Sequence, residues 1–450
     1  MTYQEAIRYL ESLINYEKIS RWSYKESLKL ERIKNFLKLI GNPQEGLNCI
    51  HIAGSKGKGS TCAFISYILR EAGFKVGLYT SPHLSCFRER IRILNPLTFI
   101  LDPFEGMISE EKVVELVEFL KPYIEIYNRN SEYGNLSFFE VYTALAFVYF
   151  RRENIDFLVL ETGLGGRLDA TNVVDPLVCG ITPISYEHTR KLGNTLSEIA
   201  FEKAGIIKKG NSVHMTVISA PQDKEAEEVI KKRCEDLGIR LYRVGYDILW
   251  EETAVGFDVW GIFGRYSDLK INLLGRHQLI NATVAIGVIE TLRFHNIVIS
   301  MENIKNGLCF TRWPGRCEVI SKNPLIVLDG AQNTASMAAL KETIKESFSY
   351  NNLILIFGIC RDKDIRGVAS LLYDVSHIVI LTKAANPRAA EPSDLIRYFE
   401  GKHIYVTKNI QEAIELAKTK VDFGDLILIT GSLFVVGEAR DYLIKQSISV

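Results

Sequence analysis

The chain has 450 residues with 54 basic and 54 acidic side chains, so it lacks the positive excess by which a protein tracks nucleic acid or an anionic membrane. That length exceeds what one hydrophobic core commonly organises and points to two domains of unequal size. Eight cysteines without a CxxC pair suggest neither a zinc site nor a disulfide framework, no basic-then-apolar leader opens the chain, and the longest apolar run, 141–150, is too short to cross a bilayer; a soluble, cytoplasmic protein is expected.

Ile7, Leu10, Leu13 and Ile14, then Leu30, Ile33, Leu37 and Ile40, recur at helical spacing, and Gly41-Asn42-Pro43 ends the second helix. From there short apolar runs alternate with longer amphipathic ones: Ile50-His51-Ile52-Ala53, a helix over 59–72, Val76-Gly77-Leu78-Tyr79, and strands over 157–160, 178–181 and 213–218. Such alternation predicts a parallel sheet with crossover helices. A β-hairpin is expected over 257–274. The fold class is α/β: a doubly wound, mostly parallel sheet carrying a phosphate loop over residues 1–296, then a smaller Rossmann-like α/β domain over 297–450, with strands at 325–328, 353–357, 377–381, 403–406 and 426–429.

The strand ending at Ala53 runs into Gly54-Ser55-Lys56-Gly57-Lys58-Gly59-Ser60 and then a helix, so backbone N–H groups and a positive helix end converge where phosphate oxygens can sit. Gly57, Lys58, Gly59, Ser60 and Thr61 are the expected nucleotide contacts, with Lys58 reaching the terminal phosphates. The loop departs from GxxxxGK[ST]: only two residues separate Gly54 from Gly57, and Gly59 fills the slot of the hydroxyl that normally holds magnesium. A metal must then find other ligands, with Ser60 one position late. An ordinary glycine-rich turn is the competing reading; strand, two lysines and helix in register favour nucleotide binding.

Further motifs follow in order: Gly77-Leu78-Tyr79-Thr80-Ser81-Pro82-His83-Leu84, Arg88-Glu89-Arg90-Ile91, Phe138-Phe139-Glu140, Glu161-Thr162-Gly163-Leu164-Gly165-Gly166-Arg167-Leu168-Asp169-Ala170-Thr171-Asn172, Lys203-Ala204-Gly205, Gly275-Arg276-His277-Gln278, Trp313-Pro314-Gly315-Arg316, Asp329-Gly330-Ala331-Gln332-Asn333 and Gly431-Ser432-Leu433. With the GxxGKGS loop, this series resembles the Mur ligase superfamily, in particular folylpolyglutamate synthases and bifunctional dihydrofolate synthases. The resemblance implies an ATP-dependent ligase that joins L-glutamate to tetrahydrofolate, and to 7,8-dihydropteroate, through an acyl phosphate. It implies one or two magnesium ions held by Ser81, Glu161 and His188, and an N-carboxylated Lys203 that serves a second magnesium or orients substrate. Lys58, Lys203, His188 and Glu161 are then the catalytic set. Asn281 falls at the adenine contact, while Arg316 and Asp329 reach ATP from the second domain. Ser137, Phe138, Phe139 and Glu140, with Leu168, Asp169 and Ala170, fall where dihydropteroate is contacted. The implied partners are small molecules, neither nucleic acid nor membrane, and the chain is expected to act as a monomer; a monovalent cation is left open.

On the residues alone, blander readings stand beside these. Ser81 caps a turn before Pro82, His188 is a structural histidine, Lys203 a helix-end lysine, Asn281 a helix N-cap and Asp329 an Asx turn. Phe138 and Phe139 fit a core, and Arg88-Glu89-Arg90 a solvated face. The chain also departs from the family pattern: Gln332 and Thr334 interrupt DGAHNP, Glu187 replaces an aspartate and Lys56 an asparagine. Another Mur-type amide ligase, of the peptidoglycan or cyanophycin kind, is the first alternative function, and a nucleotide-dependent switch the second.

Overall fold

Uninterrupted aliphatic runs become central strands, because a strand covered on both faces has no polar side to show. In the computed structural model, which describes all residues except 20, 21, 97–101, 103, 211–213 and 449–450, two compact units form around separate sheets. The first sheet contains β1 (Cys49–Ala53), β2 (Val76–Tyr79), β3 (Ile91–Leu94), β4 (Phe157–Glu161), β5 (Pro176–Ile181), β6 (Thr216–Ser219) and β7 (Arg240–Arg243), in the order β3-β2-β4-β1-β5-β6-β7. Only β3 runs antiparallel, against β2. The register sets Ile52 of β1 beside Glu161 of β4 and Gly180 of β5. The carboxyl ends of these three strands therefore lie level, at the place where the strand order reverses, which is where open α/β sheets bind ligands.

β8 (Leu249–Thr253), β9 (Gly256–Trp260) and β10 (Arg265–Leu269) form an antiparallel sheet of three strands, so the expected hairpin gains a neighbour. Its turn is held by buried Glu290, which accepts the N–H groups of Ile262 (2.7 Å) and Phe263 (2.9 Å) and the hydroxyl of Tyr266 (3.0 Å). The second unit is built on β11 (Glu318–Lys322), β12 (Leu325–Asp329), β13 (Leu353–Phe357), β14 (Ile378–Leu381), β15 (His403–Val406) and β16 (Leu426–Thr430), in the order β11-β12-β16-β13-β14-β15, with only β11 antiparallel.

The expected division at 296/297 shifts. The helix Met301–Phe310 belongs to the first unit, which runs on to Arg312. It packs on the helix Lys58–Glu71 so closely that a Cβ on Gly307 would lie 2.4 Å from Ile68 Cα. The first unit also takes in 1–83, 87–272 and 278–312, and the second 84–86, 273–277 and 313–450. The first helix stops at Ser12, before Leu13 and Ile14. The strand expected from 213 begins at Thr216, and Val213 lies outside the described residues. No helix among the described residues is long and apolar enough to cross a membrane.

Candidate functional site

The turn after β1 is shaped by close approach. Gly54 has φ +147° and Gly57 φ +83°; a Cβ on Gly54 would fall 1.9 Å from Thr182 Oγ1, and one on Gly57 2.1 Å from Asn281 Oδ1. A side chain at either position would displace its neighbour. The N–H groups of Ser55 and Lys56 donate to the Pro183 carbonyl at 3.0 and 3.1 Å, and Ser55 Oγ donates to the Ser185 carbonyl at 3.0 Å, so the loop is tied to the segment after β5. Gly57 is the N-cap of the helix Lys58–Glu71 and offers its first turn no side-chain acceptor, which leaves the positive helix end without a side-chain cap. Ser60 and Thr61, in that turn, are buried. Asn281 lies within the helix Arg276–Thr291 rather than at its cap, buried against Gly57 and donating to Gln278 Oε1 at 2.9 Å.

Three lysines and two carboxylates gather at this edge. Lys58 Nζ donates to the Gly54 carbonyl at 3.1 Å and stands 4.0 Å from Glu161 Oε1. Glu161, at the end of β4, accepts the Ser81 N–H at 3.1 Å through its other oxygen, so Ser81 and Glu161 are neighbours although 80 residues separate them. Lys203, only 1% exposed, reaches from the helix Leu196–Ala204 to the Gly54 carbonyl (2.7 Å) and Glu187 Oε1 (2.8 Å). Lys56 meets Glu187 Oε2 at 3.3 Å. Burial pushes the Lys203 amine down to about 8, with Lys58 and Lys56 acting in the same sense against the pull of Glu187. Burial opposes ionisation of Glu187, yet Lys203, Lys58 and Lys56 together hold its carboxyl below the ordinary range. His188 follows it, exposed, with φ +48°, and opens the short helix Thr189–Leu192.

Among the described residues, no three His, Cys, Asp or Glu side chains form a metal cluster. Ser81 and Glu161 are nevertheless hard oxygen donors set beside a phosphate-binding turn, and magnesium commonly takes one or two protein oxygens with phosphate and water completing its shell. The donor set fits that ion.

The residues expected at the substrate divide into two groups. Ser137 caps the helix Phe138–Arg152 in a reciprocal box: Glu140 Oε2 accepts the Ser137 N–H at 2.7 Å, and its Oε1 accepts Arg32 Nε at 2.7 Å, with both charged side chains about 5% exposed. Phe138 is fully buried, stacked on Tyr142 with ring centroids 5.5 Å apart. Asp169 is turned into its own loop, accepting Leu164 N–H (2.7 Å), Thr171 N–H (3.0 Å) and Thr171 Oγ1 (2.6 Å). Burial raises its carboxyl above the ordinary value against these bonds. Ala170 is buried in the core that holds Phe138 and Tyr142, while Leu168 is half-buried against a second core around Tyr24 and Ile206. Phe139 alone of the aromatic pair is half-buried, pressing its ring on Gly163, where a Cβ would come within 2.5 Å of Cζ.

Sequence reasoning missed the buried Arg32–Glu140 pair, the Lys56–Glu187 contact and Tyr24, whose hydroxyl donates to Glu202 Oε2 at 3.1 Å while Arg167 Nη2 meets the same carboxylate at 2.8 Å. Only the first carried a signal, the Ser137-x-x-Glu140 spacing of a capping box.

In the second unit, Asp329 closes β12 and accepts the N–H groups of Cys317 and Ala331, both at 2.8 Å. Burial raises its carboxyl, against the nearby Arg316 guanidinium. A Cβ on Gly330 would lie 2.9 Å from Arg316 Nη1, so that glycine leaves room for the arginine. Gln332 precedes Asn333, the N-cap of the helix Thr334–Ser347. Just beyond the carboxyl ends of β13, β14 and β16, Cys360, Ala384, Asn386, Ser432 and Phe434 come together.

Comparison with known proteins bears on both units. Residues 109–289 match the Mur ligase middle domain and 315–433 the Mur ligase glutamate ligase domain. A dihydrofolate synthase/folylpolyglutamate synthase of Bacillus subtilis is 35% identical over 423 residues, covering 92% of this chain and 94% of that protein. The structure of Mycobacterium tuberculosis folylpolyglutamate synthase complexed with ADP superposes with a TM-score of 0.87 at 29% identity, covering 98% of each chain. E. coli FolC in complex with DHPP and ADP superposes at 0.82 with 26% identity, covering 99% of each. The two-domain α/β architecture expected from the sequence is the one these structures share. With identity sustained from end to end and both domain types matched in order, the chain belongs to the dihydrofolate synthase/folylpolyglutamate synthase family of Mur ligases.

Proposed function

We propose that this protein is an ATP-dependent ligase that adds L-glutamate to a reduced folate and to 7,8-dihydropteroate. The observation that carries the reading is the convergence of the glycine turn, Lys58, Lys203 and two carboxylates on one sheet edge. The relatives' complexes with ADP, and with DHPP and ADP, support nucleotide and pteroate as ligands.

The substrate carboxylate attacks the γ-phosphorus of ATP, the bond to the β,γ-bridging oxygen breaks, and ADP leaves behind an acyl phosphate. The glutamate amine then attacks the acyl carbon, inorganic phosphate departs and the amine loses a proton. Such transfer rests on positioning and charge neutralisation, not on a side-chain nucleophile. Lys58 exchanges the Gly54 carbonyl for phosphate oxygens, and the uncapped helix end takes the remaining negative charge. Magnesium, when bound, adds Lewis-acid neutralisation of the phosphates; Ser81, Glu161 and His188 are its proposed holders. Asn281 is assigned to adenine, and Arg316 and Asp329 to the nucleotide. Of the pteroate contacts, half-buried Phe139 is the proposed stacking surface. The enzyme acts as a monomer, and its eight free cysteines suit the reducing cytoplasm.

Lys203 is proposed to act as its N-carboxylate. Carboxylation joins the neutral amine nitrogen to the carbon of carbon dioxide with release of one proton, and an amine held near 8 supplies that form at neutral pH far more readily than an ordinary lysine. Lys203→Ala is expected to lose activity that bicarbonate or a short carboxylate partly restores. Full activity of the unsupplemented variant counts against carboxylation.

ADP release measured with dihydropteroate or tetrahydrofolate, with and without L-glutamate, tests the whole reading. Turnover is expected to require both the pteroate acceptor and glutamate. ATP hydrolysis indifferent to all of them overturns it; activity with tetrahydrofolate alone restricts the enzyme to chain extension.

A further inference from the structure

His51 sits in the middle of β1, completely buried, three residues before the phosphate turn, and takes no part in the chemistry above. Its Nε2 lies 2.9 Å from Thr171 Oγ1. That hydroxyl has one proton, and it goes to Asp169 Oδ1 at 2.6 Å, because the carboxylate already receives the Leu164 and Thr171 N–H groups and acts only as acceptor. The imidazole must therefore donate from Nε2. Burial disfavours its charged form, so the ring carries a single proton, and Nδ1 is left buried without a hydrogen-bond partner. An unsatisfied buried nitrogen costs stability, and the bond made by Nε2 is what this ring supplies against that cost.

What it holds is a chain of buried bonds, His51 to Thr171 to Asp169 to Leu164, which ties the strand entering the nucleotide turn to the loop spanning 163–171. Thr171 is wholly buried and Asp169 nearly so, so water offers no substitute for either bond. We infer that His51 and Thr171 are positioning residues which set the Leu168-Asp169-Ala170 segment for the pteroate-bearing substrate, with the proton on His51 Nε2 as the required element. This rests on the proposed folate activity and on the expected placing of residues 168–170 beside the pteroate, with the Asp169 carboxylate acting there as the loop's internal acceptor.

The test compares His51→Gln with His51→Asn. A glutamine amide nitrogen falls near the place of Nε2, and an asparagine amide nitrogen near Nδ1, so only the first can donate to Thr171. In steady-state assays with varied dihydropteroate (or tetrahydrofolate) and with varied ATP, H51N is expected to raise the KM for the pteroate substrate about tenfold while the KM for ATP stays within about twofold. H51Q is expected to stay near wild type. Thr171→Val, with Thr171→Ser as its rescue, repeats the comparison from the other end should H51N fail to fold. Equal kinetics for H51N and H51Q, or a change confined to the ATP KM, overturns the inference while leaving the ligase reading intact. A wild-type enzyme without pteroate-dependent ADP release instead overturns the functional reading, and this inference with it.

Discussion

Glu140 and Asp169 show how far side-chain identity goes as a guide to function. Both are carboxylates inside motifs assigned to substrate, yet Glu140 is engaged by Ser137 and Arg32, and Asp169 by the N–H groups of its own loop. Acids next to serines and glycines cap helices and turns as readily as they bind ligands, and sequence does not say which oxygen is already taken. Lys58 and Glu161 could be placed on one sheet edge because each follows an expected strand, whereas Lys203 read on its own as a helix-end lysine and was singled out only through the family resemblance; the Lys56–Glu187 contact carried no signal, since 131 residues separate its members. Lys58→Ala is expected to lower turnover by about 10²-fold or more, the scale of removing one preorganised charge-stabilising donor, with its thermal midpoint within about 3 °C of wild type. Activity assays and thermal scans on the same preparation check it. Glu187 gives a pH effect. Its carboxyl is depressed in the folded state, so the unfolded chain binds more protons on acidification; the stability it contributes is present above the ordinary carboxylate value and is lost as pH falls below it. Urea midpoints between about pH 6 and 3.5 are expected to fall less steeply in Glu187→Gln than in wild type.

Secondary elements were readable where burial was complete and poorly so at the margins. β1, β4, β13 and β16, buried at every position, stand in the sequence as largely apolar runs, with His51 inside β1 and Glu161 and Thr430 closing β4 and β16. β7, β8 and β11 are edge strands with exposed charged residues, each paired on one side only with the strand next to it in the chain, so no apolar run announces them. The helix Met301–Phe310 was assigned to the wrong unit for a related reason: its partner is a helix 240 residues earlier, met through the bare backbone of Gly307. Propensity alone makes Gly307→Ala stabilising by about 1 kcal/mol. Because the added Cβ would lie 2.4 Å from Ile68 Cα, a main-chain atom, the substitution is expected to destabilise by about 1–3 kcal/mol instead, as measured by urea unfolding.

At the scale of the whole molecule, equal numbers of acidic and basic side chains leave no net field to keep copies apart, and the isoelectric point is near 7.1. Solubility in low salt is expected to pass through a minimum close to pH 7 and recover by about pH 8.5; light scattering across that range checks it. The fold as a whole was legible because alternating strands and helices leave few alternatives to two wound sheets, whereas the line between the units depended on packing. One oxygen in the first unit gives the turnover cycle a further property. The Gly54 carbonyl receives two lysine Nζ donors, Lys58 at 3.1 Å and Lys203 at 2.7 Å, and a carboxylated Lys203 keeps one N–H for that bond. When Lys58 is called away to an arriving nucleotide, the nearer and deeper lysine stays. The turn thus has a moving tether and a standing one, and it can fill and empty at every cycle without being rebuilt.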